Sequence, residues 1–395
     1  MVDLSVDGMP GDGLGTGPGY RDLRRGSSEG VDPRRPGGHG SFRSQHEASR
    51  PSFPAQVFIV LSSVLPQRSV PPALPLLCAG VAVVFVAALC LGAQDYGPGL
   101  LWQALVARDP KDLAQAVVVE MRLPRALAAL MIGAALAVSG LMMQALTRNP
   151  LVDPGLTGVN AGAALAVVAG LWFLGPMGSA ATAAFALSGA AAAAVLVRLL
   201  AGSGGGTLRL PLAGAAFASL CLSVVSFVVL MNPEARNLYR FWMVGSLALA
   251  DTGRLAALAP LGLAGICLGL AVSRQVESLM LGEDLGAALG LHPGRVLSLA
   301  LAAIAMTAGA AVAIAGPVGF IGLIAPHLAR RLASGAGLGA TMLLACPLGA
   351  GLTLLADIAG RWLMRPAELP LGIVLAMIGA PVFMLLIRSI LRKED

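Results

Sequence analysis

From Ala73 onward, apolar runs of about 20 residues, the length a helix needs to cross a bilayer, alternate with short breaks of Gly, Pro, Asn and charged residues. The runs cover Ala73–Ala93, Ala126–Leu146, Leu156–Leu174, Met177–Val197, Leu210–Met231, Leu255–Val272, Val296–Ala315, Pro317–Leu332, Leu338–Ala356 and Leu369–Ile387, and they predict ten membrane-spanning helices. Ala, Gly and Leu dominate them. Small side chains let helix backbones approach closely where lipid supplies no hydrophobic drive for association, so the pattern predicts a compact all-α bundle.

Residues 1–70 carry no such period. They are rich in Gly, Pro, Ser and Arg, with eight arginines against seven acids, and such a segment buries too little apolar surface to fold alone. Their one apolar run, Val57–Leu65, is too short to span. The expected organisation is a disordered cytoplasmic tail at 1–70 followed by a transmembrane domain at 71–395.

Composition supports the membrane reading, because 56% hydrophobic and 12% charged residues exceed what a soluble core can hide. Cys78, Cys90, Cys221, Cys267 and Cys346 all fall in apolar runs without paired spacing, and the four histidines are scattered. Neither pattern matches a metal site, and none is expected. The only lysines are Lys111 and Lys393 and neither follows a glycine, so the chain has no GxxxxGK[ST] phosphate loop. No catalytic residues are assigned: HExxH, GxSxG and paired carboxylates are missing from the spans.

Three polar features stand out. The segment Arg148-Asn149-Pro150-Leu151-Val152-Asp153-Pro154-Gly155 reads as a tight turn. The connection 274–294 reads as short helices, one with Glu283 and Asp284 at its start, Leu285, Ala288 and Leu289 on one face, and Gly290 with Pro293 as a stop. A solvated connector needs no exposed leucines, so this face is expected to dock on a partner. Finally, Arg122 and Arg125 head the second span, and Arg361 and Arg365 follow the ninth. Arginine binds carboxylates bidentately, so these four suit docking of an acidic surface; anchoring of span ends, or an i, i+4 pair between Asp357 and Arg361, explains the latter two equally well.

The segments RLPRALAALMIGAALAVSGLMMQALTRNPLVDPGLTGVNAGA from Arg122, AGPVGFIGLIAPHLARRL, and LADIAGRWLMRPAELPLGIVLAMIGAPVFMLLIR, in that order, closely resemble the FecCD family, the permeases of iron-siderophore, haem and cobalamin ABC importers. The resemblance covers residues 71–395. It implies a type II ABC importer permease in the bacterial inner membrane with both termini cytoplasmic, paired with a second copy or a related permease. ATP and Mg would sit on partner ATPase subunits, with no cofactor on this chain, and a periplasmic or lipoprotein binding protein would deliver the cargo. It places a cytoplasmic gate at Asn149, Pro150 and Leu151, and ATPase coupling at Gly282, Glu283, Leu285, Leu289 and Gly290. Arg122 and Arg125 match the family's docking arginines directly. Family members start shortly before their first span, which makes a later translation start a further expectation. Arg240–Asp251, RFWMVGSLALAD, resembles the siderophore branch more than the haem or cobalamin branch.

A secondary carrier is the rival from another class, since carriers also use about ten helices with inverted repeats. Such carriers keep intramembrane carboxylates for ion relays, and here only Asp357 qualifies. The positive-inside balance, eleven cations inside against nine outside when the far tail is left out, barely sets orientation. The missing phosphate loop generates the first expected outcome: the protein purified alone hydrolyses no ATP, and measurable turnover surviving removal of contaminating ATPases would refute it.

Overall fold

In lipid every backbone N–H and C=O must be satisfied internally, and helices do this within one segment. The computed structural model describes residues 71–391 except 93, 110, 203–208, 249, 283–285, 287 and 289; no strand occurs among the described residues. The helices are α1 (Ala73–Cys90), α2 (Pro98–Val106), α3 (Leu113–Thr147), α4 (Val159–Leu174), α5 (Ser179–Ala201), α6 (Arg209–Met231), α7 (Pro233–Met243), α8 (Thr252–Met280), α9 (Pro293–Ala315), α10 (Ile321–Ala333), α11 (Leu338–Leu363) and α12 (Leu371–Leu391).

Seven of these, α1, α3, α5, α6, α8, α9 and α11, are long and apolar enough to cross a membrane, and α4 and Leu371–Leu385 of α12 are shorter apolar helices. The expected ten full-length spans are therefore not reproduced, and local backbone chemistry gives the reasons. The third expected span loses its start to a 3-10 turn at Pro154–Thr157, ended by Gly158 at φ +77°. The eighth loses Pro317–Phe320: Gly316 at φ +76° terminates α9, and Phe320 at φ +68° lies outside the helix that begins at Ile321. The second starts thirteen residues early, because Asp112 caps the amide of Ala114 and extends α3 outward. Six residues there, Val117–Arg122, wind as a π-helix, which re-phases the side chains that follow.

The bundle is built around α3. Its most apolar window is 83% buried against 11% for α1, and it packs on α8, α9, α10 and α11. The contact with α11 is backbone on backbone: a Cβ on Gly133 would strike the carbonyl of Gly349, and one on Gly349 would strike that of Gly133. The same device joins α3 to α10 at Gly140 and Gly322, and α4 to α5 at Gly162 and Gly189. Close approach of this kind maximises van der Waals contact where hydrophobic drive is absent.

A peptide carbonyl has no rotamer with which to yield. Gly349→Val is expected to destabilise the bundle by about 3 kcal/mol, the upper end for overpacking, and to reduce monodisperse protein recovered in detergent. Gly351→Val on the same helix, where a Cβ meets only Val81 at 3.5 Å, is expected to behave as wild type.

Candidate functional site

A helix ends with carbonyls that no later amide reaches, and α1 ends beside the start of α3. Arg122 Nη1 donates to the carbonyls of Leu89 and Cys90, both at 2.9 Å, and Nη2 to that of Gln94. Arg361, on the last turn of α11, donates to Leu91 at 2.8 Å and Ala88 at 3.1 Å. Two guanidiniums thus cap the C-terminus of α1, where the helix dipole favours positive charge. Both are buried, at 8% and 3% exposure, and the ring of Tyr96 lies 4.4 Å from the Arg122 guanidinium carbon.

Asp357, one turn before Arg361, connects the cluster. Its carboxylate pairs with Arg361 Nε at 3.0 Å and Arg125 Nε at 2.9 Å. The i, i+4 pair read as one alternative from the sequence is present, and Arg125 joins it. Arg125 also reaches outward to Glu368 at 2.6 Å, and Arg365 grips Asp95 through two bonds of 2.7 and 3.0 Å. Beside this guanidinium, and accepting the Gly92 amide, the Asp95 carboxyl is held below the usual carboxylate range. The cluster borders a cavity of about 700 Å³, which Glu120 and Asp251 also line.

The four arginines divide by what holds them. Exposed ion pairs contribute about 0–1 kcal/mol and exchange partners easily, whereas removing one member of a buried pair costs about 3–5 kcal/mol. Asp95 and Glu368 are half-exposed, so the pairs of Arg365 and of Arg125 with Glu368 can open to another carboxylate. Arg122 and Arg361 are fixed structural caps. Sequence reasoning missed Asp95 and Glu368, because both sit on connections whose partners lie 270 and 243 positions away, respectively.

At the opposite end of α3 the expected tight turn is present. The amides of Arg148 and Asn149 return to the carbonyls of Ala145 and Gln144, a Schellman closure, with Arg148 itself left-handed at φ +51°. Asn149 Oδ1 accepts the Leu151 amide at 2.9 Å, and Asp153 accepts that of Gly155 at 2.8 Å. Burial pushes the Asp153 carboxyl up to about 6, opposed by that amide. The turn rests on α10, where the Pro154 ring fills the space a Cβ on Gly322 would need, and on α6, where Gly214 lies against the carbonyl of Leu156.

After α8, Gly282 and Gly290 both have positive φ, +134° and +78°. The Leu291 amide returns to the carbonyl of Gly286, so the expected stop at Gly290 is a second Schellman closure. Glu283, Leu285 and Leu289 lie outside the described residues. No cluster able to hold a metal occurs among the described residues, and the five cysteines are free.

Known proteins place this architecture. Residues 80–389 match the FecCD transport family. Relatives include the ferric enterobactin transport system permease protein FepD of Escherichia coli (strain K12), 43% identical over 69% of this chain and 82% of that protein. The Fe(3+)-citrate import system permease protein YfmD of Bacillus subtilis (strain 168) is 38% identical over 70% of this chain and 82% of that protein. The hemin transport system permease protein HmuU of Yersinia pestis is 36% identical over 79% and 96%. A solved structure described as an inward-facing conformation of a metal-chelate type ABC transporter superposes with a TM-score of 0.71 at 30% identity, covering 81% of this chain and 99% of that one. A helical bundle centred on α3, with an arginine cluster at one end and an Asn-Pro-Leu turn at the other, is therefore found in a chain that belongs to the FecCD transport family.

Proposed function

We propose that this chain is the membrane-spanning permease subunit of an ATP-driven importer for ferric siderophores, working with a separate ATPase and a soluble binding protein. The observation that carries the reading is the connection after α8. At about 1.5 Å per residue, the 29 residues of α8 extend about 43 Å, well beyond a hydrocarbon core of about 30 Å. On this reading the end of α8 emerges from lipid, and the connection to α9 has Gly282 and Gly290 at positive φ. Leu285 and Leu289, outside the described residues, are the apolar side chains that this reading assigns to docking.

The helices α1, α3, α4, α5, α6, α8, α9, α10, α11 and α12 are read as ten crossings, the short ones completed by turns packed within protein. An even number puts both termini on one side, the cytoplasmic one, together with Asn149-Pro150-Leu151 as the inner gate. The non-helical stretch before α10 fits this reading, because irregular backbone at membrane depth is tolerated only where protein covers it. Here the Ser246 amide donates to the Ala315 carbonyl, and Gly379 leaves room for the Phe320 ring.

A second permease copy is read against α6. Its most apolar window is only 17% buried, and Ser219, Ser223 and Ser226 are exposed along one face, each hydroxyl donating to the carbonyl four residues back. Hydroxyls suit a hydrated route between two subunits better than lipid. Ferric siderophores are the favoured cargo because the relatives named above include ferric enterobactin and ferric citrate permeases; the hemin permease keeps haem as the alternative within the family. On the outer face Arg125 and Arg365 offer guanidiniums to the binding protein's carboxylates, while Arg122 and Arg361 hold the rim.

Two outcomes test this. Each leucine anchor contributes about 1.5–3 kcal/mol when buried, so Leu285→Asp with Leu289→Asp is expected to abolish co-purification of the ATPase and uptake while the bundle still inserts. Normal uptake that collapses only when the proton gradient is dissipated would overturn the importer reading. Arg365→Glu, which leaves Arg125 in its pair with buried Asp357, is expected to weaken binding-protein docking severalfold at low salt, since like charges then face each other; unchanged docking in a pull-down removes the assignment.

A further inference from the structure

The inner ends of the helices are joined by side chains that neither the gate nor the docking segment accounts for. Arg148, the left-handed residue ending α3, extends across to α8, where Nη2 donates to the carbonyl of Leu279 at 2.8 Å. That carbonyl belongs to the last turn of α8, three residues before Gly282, and also accepts the Gly282 amide. The bond therefore joins the Asn149-Pro150-Leu151 turn to the entry of the 281–292 connection.

Two other contacts hold the helix ends that flank the connection without touching that turn. Glu277 Oε2 accepts the Leu338 amide at 3.2 Å, placing a negative charge at the N-terminus of α11, where the helix dipole favours it. At the exit, Arg198 on the last turn of α5 donates to Ser298 Oγ at 3.1 Å and to the Gly294 carbonyl at 3.4 Å, while its Nη1 binds Gly202. The helix ends on both sides of the connection thus have contacts besides the bond from Arg148.

The position of Arg148 sharpens the point. In a Schellman closure the left-handed residue is usually glycine, which has no Cβ to clash. Backbone conformation alone favours glycine here, and the arginine's contribution is its side chain. The long stem and charged donor match a carbonyl that must be followed as it moves.

We infer that Arg148 is a positioning residue of transport: through its hydrogen bond to Leu279, displacement of the 281–292 connection moves the Asn149-Pro150-Leu151 turn. This rests on the importer reading. When the partner ATPase shifts the connection, the end of α8 shifts with it, the guanidinium follows the Leu279 carbonyl, and the last turn of α3 is drawn along. Without the side chain the ATPase still docks and cycles, and the turn no longer follows.

The test uses the complex captured through a tag on this chain. ATP hydrolysis is measured on the purified complex, and uptake of iron-55 as ferric enterobactin and as ferric citrate is measured in the cells that supplied it. Wild type establishes the reading itself: no co-purifying ATPase and no nucleotide-dependent uptake would refute the importer assignment, independently of Arg148. Given a working complex, Arg148→Gly is expected to leave the melting temperature unchanged or higher, the ATPase bound and hydrolysis intact, and to lower iron taken up per ATP by about tenfold, the scale of one charge-assisted hydrogen bond. Arg148→Lys, which keeps one charged donor on a different stem, is expected to fall between the two. Arg198→Gln, which touches the start of α9 but not the turn, is expected to leave iron per ATP unchanged. The inference is overturned if Arg148→Gly keeps iron per ATP within twofold of wild type, or if it loses the ATPase along with uptake, because the residue then serves only assembly.

Discussion

The carbonyl oxygens at the end of α1 have no amide within their own helix to satisfy them, and two buried guanidiniums from α3 and α11 supply the donors. That requirement organises the outer half of the molecule. To reach those oxygens Arg122 must point at α1, and the π-helical turn at Val117–Arg122 sets the phase that directs it there. Arg361 reaches the neighbouring carbonyls of Ala88 and Leu91, and Asp357 stabilises it by pairing with it and with Arg125. Three helices are thereby fixed at one point before any surface charge is considered, and Arg125 and Arg365, facing outward, are the arginines whose pairs can open.

The same helices define the inner half. α3 runs from the outer arginines to the Asn149-Pro150-Leu151 turn, and α11 runs from Asp357 and Arg361 to the amide held by Glu277. Their shared contact is the glycine seam at Gly133 and Gly349. The arginine cluster and the Asn149-Pro150-Leu151 turn thus sit at opposite ends of one helix pair, with α8 joined to the turn through Leu279.

Much of this was legible in the sequence, and the legible parts share a cause. The spans, the turn after α3 and the stop at Gly290 depend on local composition: hydropathy over about 20 residues, Asn-Pro followed by Asp-Pro-Gly, and a glycine ahead of a proline. The Asp357–Arg361 pair was readable because four residues bring two side chains onto one helical face. What escaped depends on contacts between distant segments. Arg122 meets backbone carbonyls 28 to 33 positions earlier, and no residue type marks a carbonyl. Phe320 and Arg148 adopt left-handed backbone against the usual preference for glycine, and in each case tertiary surroundings override the local tendency. The shortened starts of α4 and α10 follow from similar left-handed residues, which hydropathy averages smooth away.

The glycine seam between α3 and α11 bears on how the protein can change shape. Where side chains interleave, packed helices can slide past one another in small shear steps. Two peptide backbones in contact have no rotamers to switch, so this pair resists sliding and separates only as a whole. The Gly133–Gly349 contact thus makes a stiff element of the pair, and shape change is left to its two ends, the loop from Met364 to Pro370 at one and the turn after Thr147 at the other.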